Sequence, residues 1–120
     1  MSPSPARIRS TIASVVEVPD DLRELRKVHK VLADANRLRI LRRLADGPAT
    51  VTELVDAVGL SQPLVSWHLS KLREVDLVRA RREGRGILHT IVPEAFEAFI
   101  ARELRALGLD TQSPRGRQAP

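Results

Sequence analysis

The sequence predicts a mainly α-helical α+β domain: four helices, a two-stranded β-hairpin, then a closing helix. Three observations carry this. Apolar residues recur at helical spacing from Leu22 to Leu72. After Asp76 the period shortens to that of a strand, and after Pro93 the helical spacing returns. Capping residues, glycines and prolines sit where one period gives way to the next.

Asp20 and Asp21, following Pro19, open the first helix, whose apolar residues fall at Leu22, Leu25, Val28 and Leu32. Asp34 is the expected N-cap of a second helix, with Leu38, Ile40, Leu41 and Leu44 turned inward and Gly47-Pro48 as its stop. Thr50-Val51-Thr52-Glu53 has the capping-box pattern and opens a short third helix carrying Leu54, Val55 and Val58, closed by Gly59. Ser61 caps a fourth helix in which Val65, Leu69 and Leu72 form a buried stripe. Pro63 lies in its first turn, where a missing N–H costs little. Leu77–Arg82 and Ile87–Val92 flank Glu83-Gly84-Arg85-Gly86, a hairpin with a basic tip. The last helix starts near Pro93 and carries Phe96, Phe99, Ile100, Leu104 and Leu107. The expected organisation is therefore a folded domain over 20–107 between two flexible tails, 1–19 with Pro, Ser and Thr and 108–120 with Gly, Ser and Pro and little to bury.

At 120 residues the chain is one lean domain, and a second subunit would help it bury enough surface. The absence of cysteine removes disulfides, thiol catalysis and thiolate metal sites. No uncharged apolar run approaches the ~20 residues of a membrane span. The N-terminal residues lack the apolar core of a secretion signal, so the expected compartment is the cytoplasm and no membrane partner is expected. The net charge is +5, and seventeen of the twenty basic residues are Arg, a bias that suits phosphate binding and that a GC-rich genome also produces. The position of the charge is more telling. Between Asn36 and Thr90 ten basic residues face six acidic ones, so the middle of the chain holds nearly all the excess.

Two short helices joined by Val58-Gly59-Leu60-Ser61 and followed by an Arg-tipped hairpin describe a winged helix-turn-helix. The fourth helix must then offer an apolar back to the core and a small, polar front to base edges. Its front is Ser61, Gln62, Pro63, Ser66, Trp67 and Ser70, with Lys71 further along. Gln pairs with adenine edges, Ser bonds either way, and helix N-terminal N–H groups hold phosphate. Arg81, Arg82 and Arg85 at the hairpin, with Arg37, are the expected backbone contacts. Trp67 is expected to be exposed, because Val65, Leu69 and Leu72 already define the buried face.

These residues carry a resemblance. The stretch 32–85 contains LADxxRLRIL, ELxxxxGLSQ, VSxHLxxLRExxLV and RREGR, and as a set it is similar to the ArsR/SmtB transcriptional regulators. The resemblance extends weakly over 22–107. It implies a homodimer, joined through its first and last helices, that binds a two-fold symmetric operator in double-stranded DNA, usually as a repressor released by an inducer. It carries recognition onto Ser61, Gln62, Pro63, Ser66 and Trp67, and the wing onto Arg82 and Arg85. The expected interface is Leu22, Leu25, Phe96, Phe99, Ile100, Leu104 and Leu107, two apolar stripes that the rest of the domain cannot cover.

The sensing chemistry departs from the family. Many members bind metal through a CVC-type pair in the third helix, where this chain has Ala49-Thr50-Val51-Thr52-Glu53. Others use a carboxylate and three histidines on the last helix, which here holds Glu94, Glu97 and Glu103 but no His. His29, His68 and His89 occur singly: His68 and His89 fit packing roles, and His29 a solvated or interface position. No cofactor is expected, though a weak nickel or zinc site from His29, Glu97 and Glu103 at a dimer interface stays open. A small-molecule or protein effector is the other option. Catalysis lacks its parts: no Cys, no Tyr, no phosphate loop and no His beside a nucleophile. The alternatives to a repressor are an activator, a weakly metal-responsive regulator, or a protein-interaction module on the same fold. The arginines of the wing argue against the last.

Overall fold

The computed structural model describes residues 17–109; most of the two expected tails, 1–16 and 110–120, lies outside the described residues. Its elements are α1 (Asp20–Leu32), α2 (Ala35–Leu44), α3 (Val51–Val58), α4 (Gln62–Glu74), β1 (Val78–Glu83), β2 (Gly86–Ile91) and α5 (Pro93–Ala106). The order is the one that the sequence predicts.

Local chemistry explains the boundaries. The Asp34 carboxylate accepts the backbone N–H groups of Asn36 and Arg37 at 2.8 and 3.2 Å, starting α2. Burial pushes this carboxyl up, but those two bonds, with His68 and Arg37 close by, outweigh it and leave it below the ordinary Asp range. Thr50 and Glu53 form the reciprocal capping box of α3, at 3.2 Å in each direction. Gly59 ends α3 in the left-handed region, φ +71°, and its N–H reaches the Val55 carbonyl at 2.8 Å. The hairpin closes through a two-residue turn, Gly84-Arg85, between the paired Glu83 and Gly86, with Gly84 at φ +60°.

The core lies where α2, α3 and α4 meet the base of the hairpin. Ile40, Leu44, Leu54, Val65, Leu69, Leu72, Leu77 and Val78 are its largest fully buried side chains. The strands pair antiparallel from Val78↔Ile91 to Glu83↔Gly86. Ala49 adds a short rung, exchanging backbone bonds with His89 at 3.0 and 2.8 Å, and the Val92 N–H ties the hairpin base to the Leu77 carbonyl at 3.0 Å. The wing is thus anchored at its foot and projects at its tip.

Two expectations about the core are corrected. Leu38 is half exposed, and Arg37 takes the inward position instead. The spacing explains it: residues 37, 40, 41 and 44 share one helix face, and Leu38 lies about 100° away from Arg37. Leu25 and Phe99 are not free for an interface, since both are buried with Val28 where α1 packs on α5 within one protomer. Each apolar stripe covers part of the other. Leu22 and Phe96 are half-buried, whereas Ile100, Leu104 and Leu107 remain exposed.

Candidate nucleic-acid interface

The α3–turn–α4 unit is held rigidly. Ser61 caps α4 from an extended backbone conformation, its hydroxyl accepting the Leu64 N–H and its carbonyl the Val65 N–H at 3.0 Å. Pro63 occupies the second helical position, where no N–H partner is needed. With Val65, Leu69 and Leu72 buried, the opposite side of α4 turns outward. There Ser61, Gln62, Pro63, Ser66 and Trp67 are exposed, and Ser70 and Lys71 are half-buried. Leu64, which the sequence does not single out, joins this face as a partly exposed apolar residue.

Two members of the face are already partly engaged. The Ser70 hydroxyl donates to the Trp67 carbonyl at 2.6 Å, leaving its oxygen as an acceptor. Lys71 lies 3.5 Å from Glu74 and 5.6 Å from the Trp67 ring centroid. Trp67 is 48% exposed, as its sequence position predicts, with two cations near its indole ring.

The second cation is Arg37, and here the structure corrects the sequence reading. Arg37 is expected as a backbone contact, yet it is only 8% exposed. Its Nε donates to His68 Nδ1 at 3.1 Å and its Nη1 to the Val31 carbonyl at 3.2 Å. The guanidinium sits 5.0 Å from the Trp67 centroid. Val31 is in the last turn of α1, whose carbonyls have no intrahelical partner, so Arg37 caps that helix end. The charge is spent inside, joining α1, α2 and α4.

That bond fixes the His68 tautomer, because Nδ1 must be the acceptor and Nε2 carries the proton. Burial pushes the His68 pKa down; Asp34 pulls it up and Arg37 pushes it further down, with a net lowering. His89 is also buried, and its pKa is lowered first by burial and then by Arg73. Its Nδ1 has no partner among the described residues. Both histidines pack, as their sequence contexts indicate.

On the wing, β-alternation divides the arginines. Arg82 pairs across the strands with Ile87, on the face that also carries Val78, His89 and Ile91. Arg79 and Arg81 lie on the other face, where Arg81 bonds Glu83 at 2.9 Å and Arg79 comes within 3.9 Å of Glu94. Arg82 and Arg85 make no ion pair among the described residues. Arg81 and Arg82 therefore cannot both face one ligand surface.

The metal candidates are only partly assembled. His29 and Glu103 pair between α1 and α5, with the His29 ring edge-on to Phe99 at 5.0 Å. Glu97 is exposed and six positions from Glu103, about 120° round the helix, so it does not join them. Among the described residues no three His, Cys, Asp or Glu side chains form a group that could hold a metal ion. No helix among them is long and apolar enough to cross a membrane.

Comparison with known proteins agrees with this geometry. The family model described as bacterial regulatory protein, arsR family, matches residues 34–80, from the Asp34 cap to the first wing strand. The transcriptional regulator NmtR of Mycobacterium tuberculosis is 37% identical over 90 residues, covering 71% of this chain and 75% of that protein. KmtR of the same organism is 44% identical over 74 residues, and the match spans 62% of this chain but only 57% of KmtR. Among solved structures, a homodimeric winged helix-turn-helix DNA-binding domain from Mycobacterium bovis, described as a possible ArsR-family regulator, superposes with a TM-score of 0.60. It is 28% identical and covers 88% of this chain and 90% of that one.

Proposed function

The chain belongs to the ArsR family of bacterial regulatory proteins, a family of transcriptional regulators and not of enzymes, and on that premise we propose that it is a homodimeric, sequence-specific repressor. It binds a two-fold symmetric operator, with α4 in the major groove and the wing over the adjoining backbone. The observation that carries this reading is the outward face of α4: Gln62, Ser66 and Trp67 are exposed on a helix whose other side is locked into the core. Gln62 and Ser66 read base edges, Trp67 offers an apolar face to a thymine methyl or sugar, and Arg82 and Arg85 bind phosphate.

The exposed row of Ile100 and Leu104 on α5 and Leu107 at its C-cap supports a two-fold interface, as does the homodimeric relative from Mycobacterium bovis. The effector in this proposal is not a tightly held thiophilic metal. With no cysteine in the chain and, among the described residues, one His–Glu pair at α1 and α5, each protomer brings a single imidazole and a carboxylate, so even a site shared across the two-fold axis holds no thiolate. Footprinting on the DNA upstream of its own gene tests the reading. A protected palindrome overlapping the promoter is expected, and uniform, sequence-indifferent protection would overturn it.

A further inference from the structure

A cleft of about 520 Å³ separates the C-terminal half of α1 from that of α4, and its charged lining is Lys27, Lys30, Arg37, Lys71 and Glu74. Four cations thus face one carboxylate. Lys27 and Lys30 lie one turn apart on α1, so they share a wall; Lys71 comes from the opposite wall. Lys27 also bonds Glu24 at 3.0 Å and Lys71 lies 3.5 Å from Glu74, both across solvent, where such pairs hold weakly. Lys30 makes no ion pair among the described residues.

Arg37 has a different part. Its fork is committed to Val31 and His68, so it gives the cleft a fixed positive field rather than a mobile donor. Val31 and Val75 add apolar wall beside it. Lys71 reaches from this cleft to the Trp67 ring, so the cleft runs on into the exposed face of α4.

We propose that this cleft seats a backbone phosphate of the bound DNA, held by Lys30 and Lys71 from opposite walls with Lys27 at the rim. The proposal rests on the DNA-binding reading above and adds α1 to the elements that touch DNA. A phosphodiester has two unbridged oxygens, one for each wall, and it arrives with the strand that α4 reads. Glu74 opposes the same phosphate, which makes it a diagnostic residue: removing its charge should strengthen binding.

The test uses the full chain and three variants: Lys27→Gln/Lys30→Gln, Glu74→Gln, and Arg102→Gln/Arg105→Gln as a control that removes the same charge from exposed positions on α5. Each is titrated by fluorescence anisotropy against a labelled duplex of its own upstream region and a scrambled duplex, over a range of KCl. The lysine variant should weaken both duplexes by the same factor. Its log–log salt slope should be shallower by about 0.9 per phosphate lost, about two for a dimer. Glu74→Gln should tighten both duplexes, and the control should keep the wild-type slope. A lysine variant whose slope matches the wild type or shifts no more than the control overturns the proposal while leaving DNA binding intact. If the wild type binds neither duplex, it is the DNA-binding reading that fails.

Discussion

Replacing Arg37 by Met keeps most of the side-chain volume and removes its polar work. The Val31 carbonyl and His68 Nδ1 then lose their partner in a site that is nearly closed to solvent. A buried acceptor left unsatisfied costs about 1–3 kcal/mol, and the lost stacking on Trp67 about 0.5–1 more. We expect a loss of about 3 kcal/mol at pH 8, a large part of a total stability that is typically about 5–15. The loss should depend on pH, and the sign follows from His68. Its pKa in the fold is lowered by burial, then by Arg37 against the pull of Asp34, while the unfolded value is the ordinary 6.5. Neutral His68 therefore contributes stability that is fully present above pH 6.5 and is lost as pH falls through the folded value. Without Arg37 the imidazole protonates more easily, so the gap between variant and wild type should narrow on acidification. Urea unfolding followed by far-UV circular dichroism at pH 8 and pH 5.5 measures both. A variant with the wild-type midpoint would refute the reasoning and return Arg37 to the surface, as a phosphate contact.

Gln62→Ala and Ser66→Ala should each cost about 1–3 kcal/mol per broken base contact and relax sequence preference, whereas Arg82→Ala or Arg85→Ala should weaken all duplexes alike; anisotropy on matched and scrambled DNA separates the two. Leu104→Asp/Leu107→Asp should convert a dimer to a monomer in sedimentation without unfolding it, because both positions are exposed in the protomer. Thr50→Ala should destabilise by about 1 kcal/mol in urea through loss of the α3 capping box, with no change in DNA selectivity. Zn²⁺ and Ni²⁺ should bind no tighter than about micromolar and alter DNA affinity by less than tenfold, about 1.4 kcal/mol, in a competition titration.

The elements were legible because their signals are local. Asp34, Thr50 with Glu53, Gly59 and Ser61 act within a few residues of themselves, and each caps the helix end that its position indicates. The hairpin was legible from a change of period around Gly84 and Gly86. Long-range choices were not. The residues at 37, 40, 41 and 44 form a regular stripe, but an arginine at its start reads as a surface charge until His68 and Val31 appear as its partners. Leu25 and Phe99 read as interface because the sequence cannot tell an apolar face covered by its own chain from one covered by a second copy. Lys27 and Lys30 carry no local signal that sets them apart on α1. Only the position of Lys71 across the cleft gives them a common surface.

The same limit applies to charge. The sequence places its positive excess in the middle of the chain, but ion pairs decide where that excess is felt. Arg43 with Glu53, Lys71 with Glu74, Arg79 with Glu94 and Arg81 with Glu83 each offset a cation near a carboxylate. Lys30 in the α1 cleft and Arg82 and Arg85 on the wing have no such neighbour among the described residues, and neither do Arg26, Arg39, Arg42, Arg73, Arg102 and Arg105. Arg79 and Arg81 are exposed, where an ion pair is worth about 0–1 kcal/mol, and Arg43 and Lys71 are half-buried. A phosphate with its released counterions can displace such a carboxylate at small cost. On the proposed DNA-binding reading, Lys30 in the cleft and Arg82 and Arg85 on the wing would meet phosphate without first displacing a carboxylate, whereas Lys71 and Arg81 would have to exchange one.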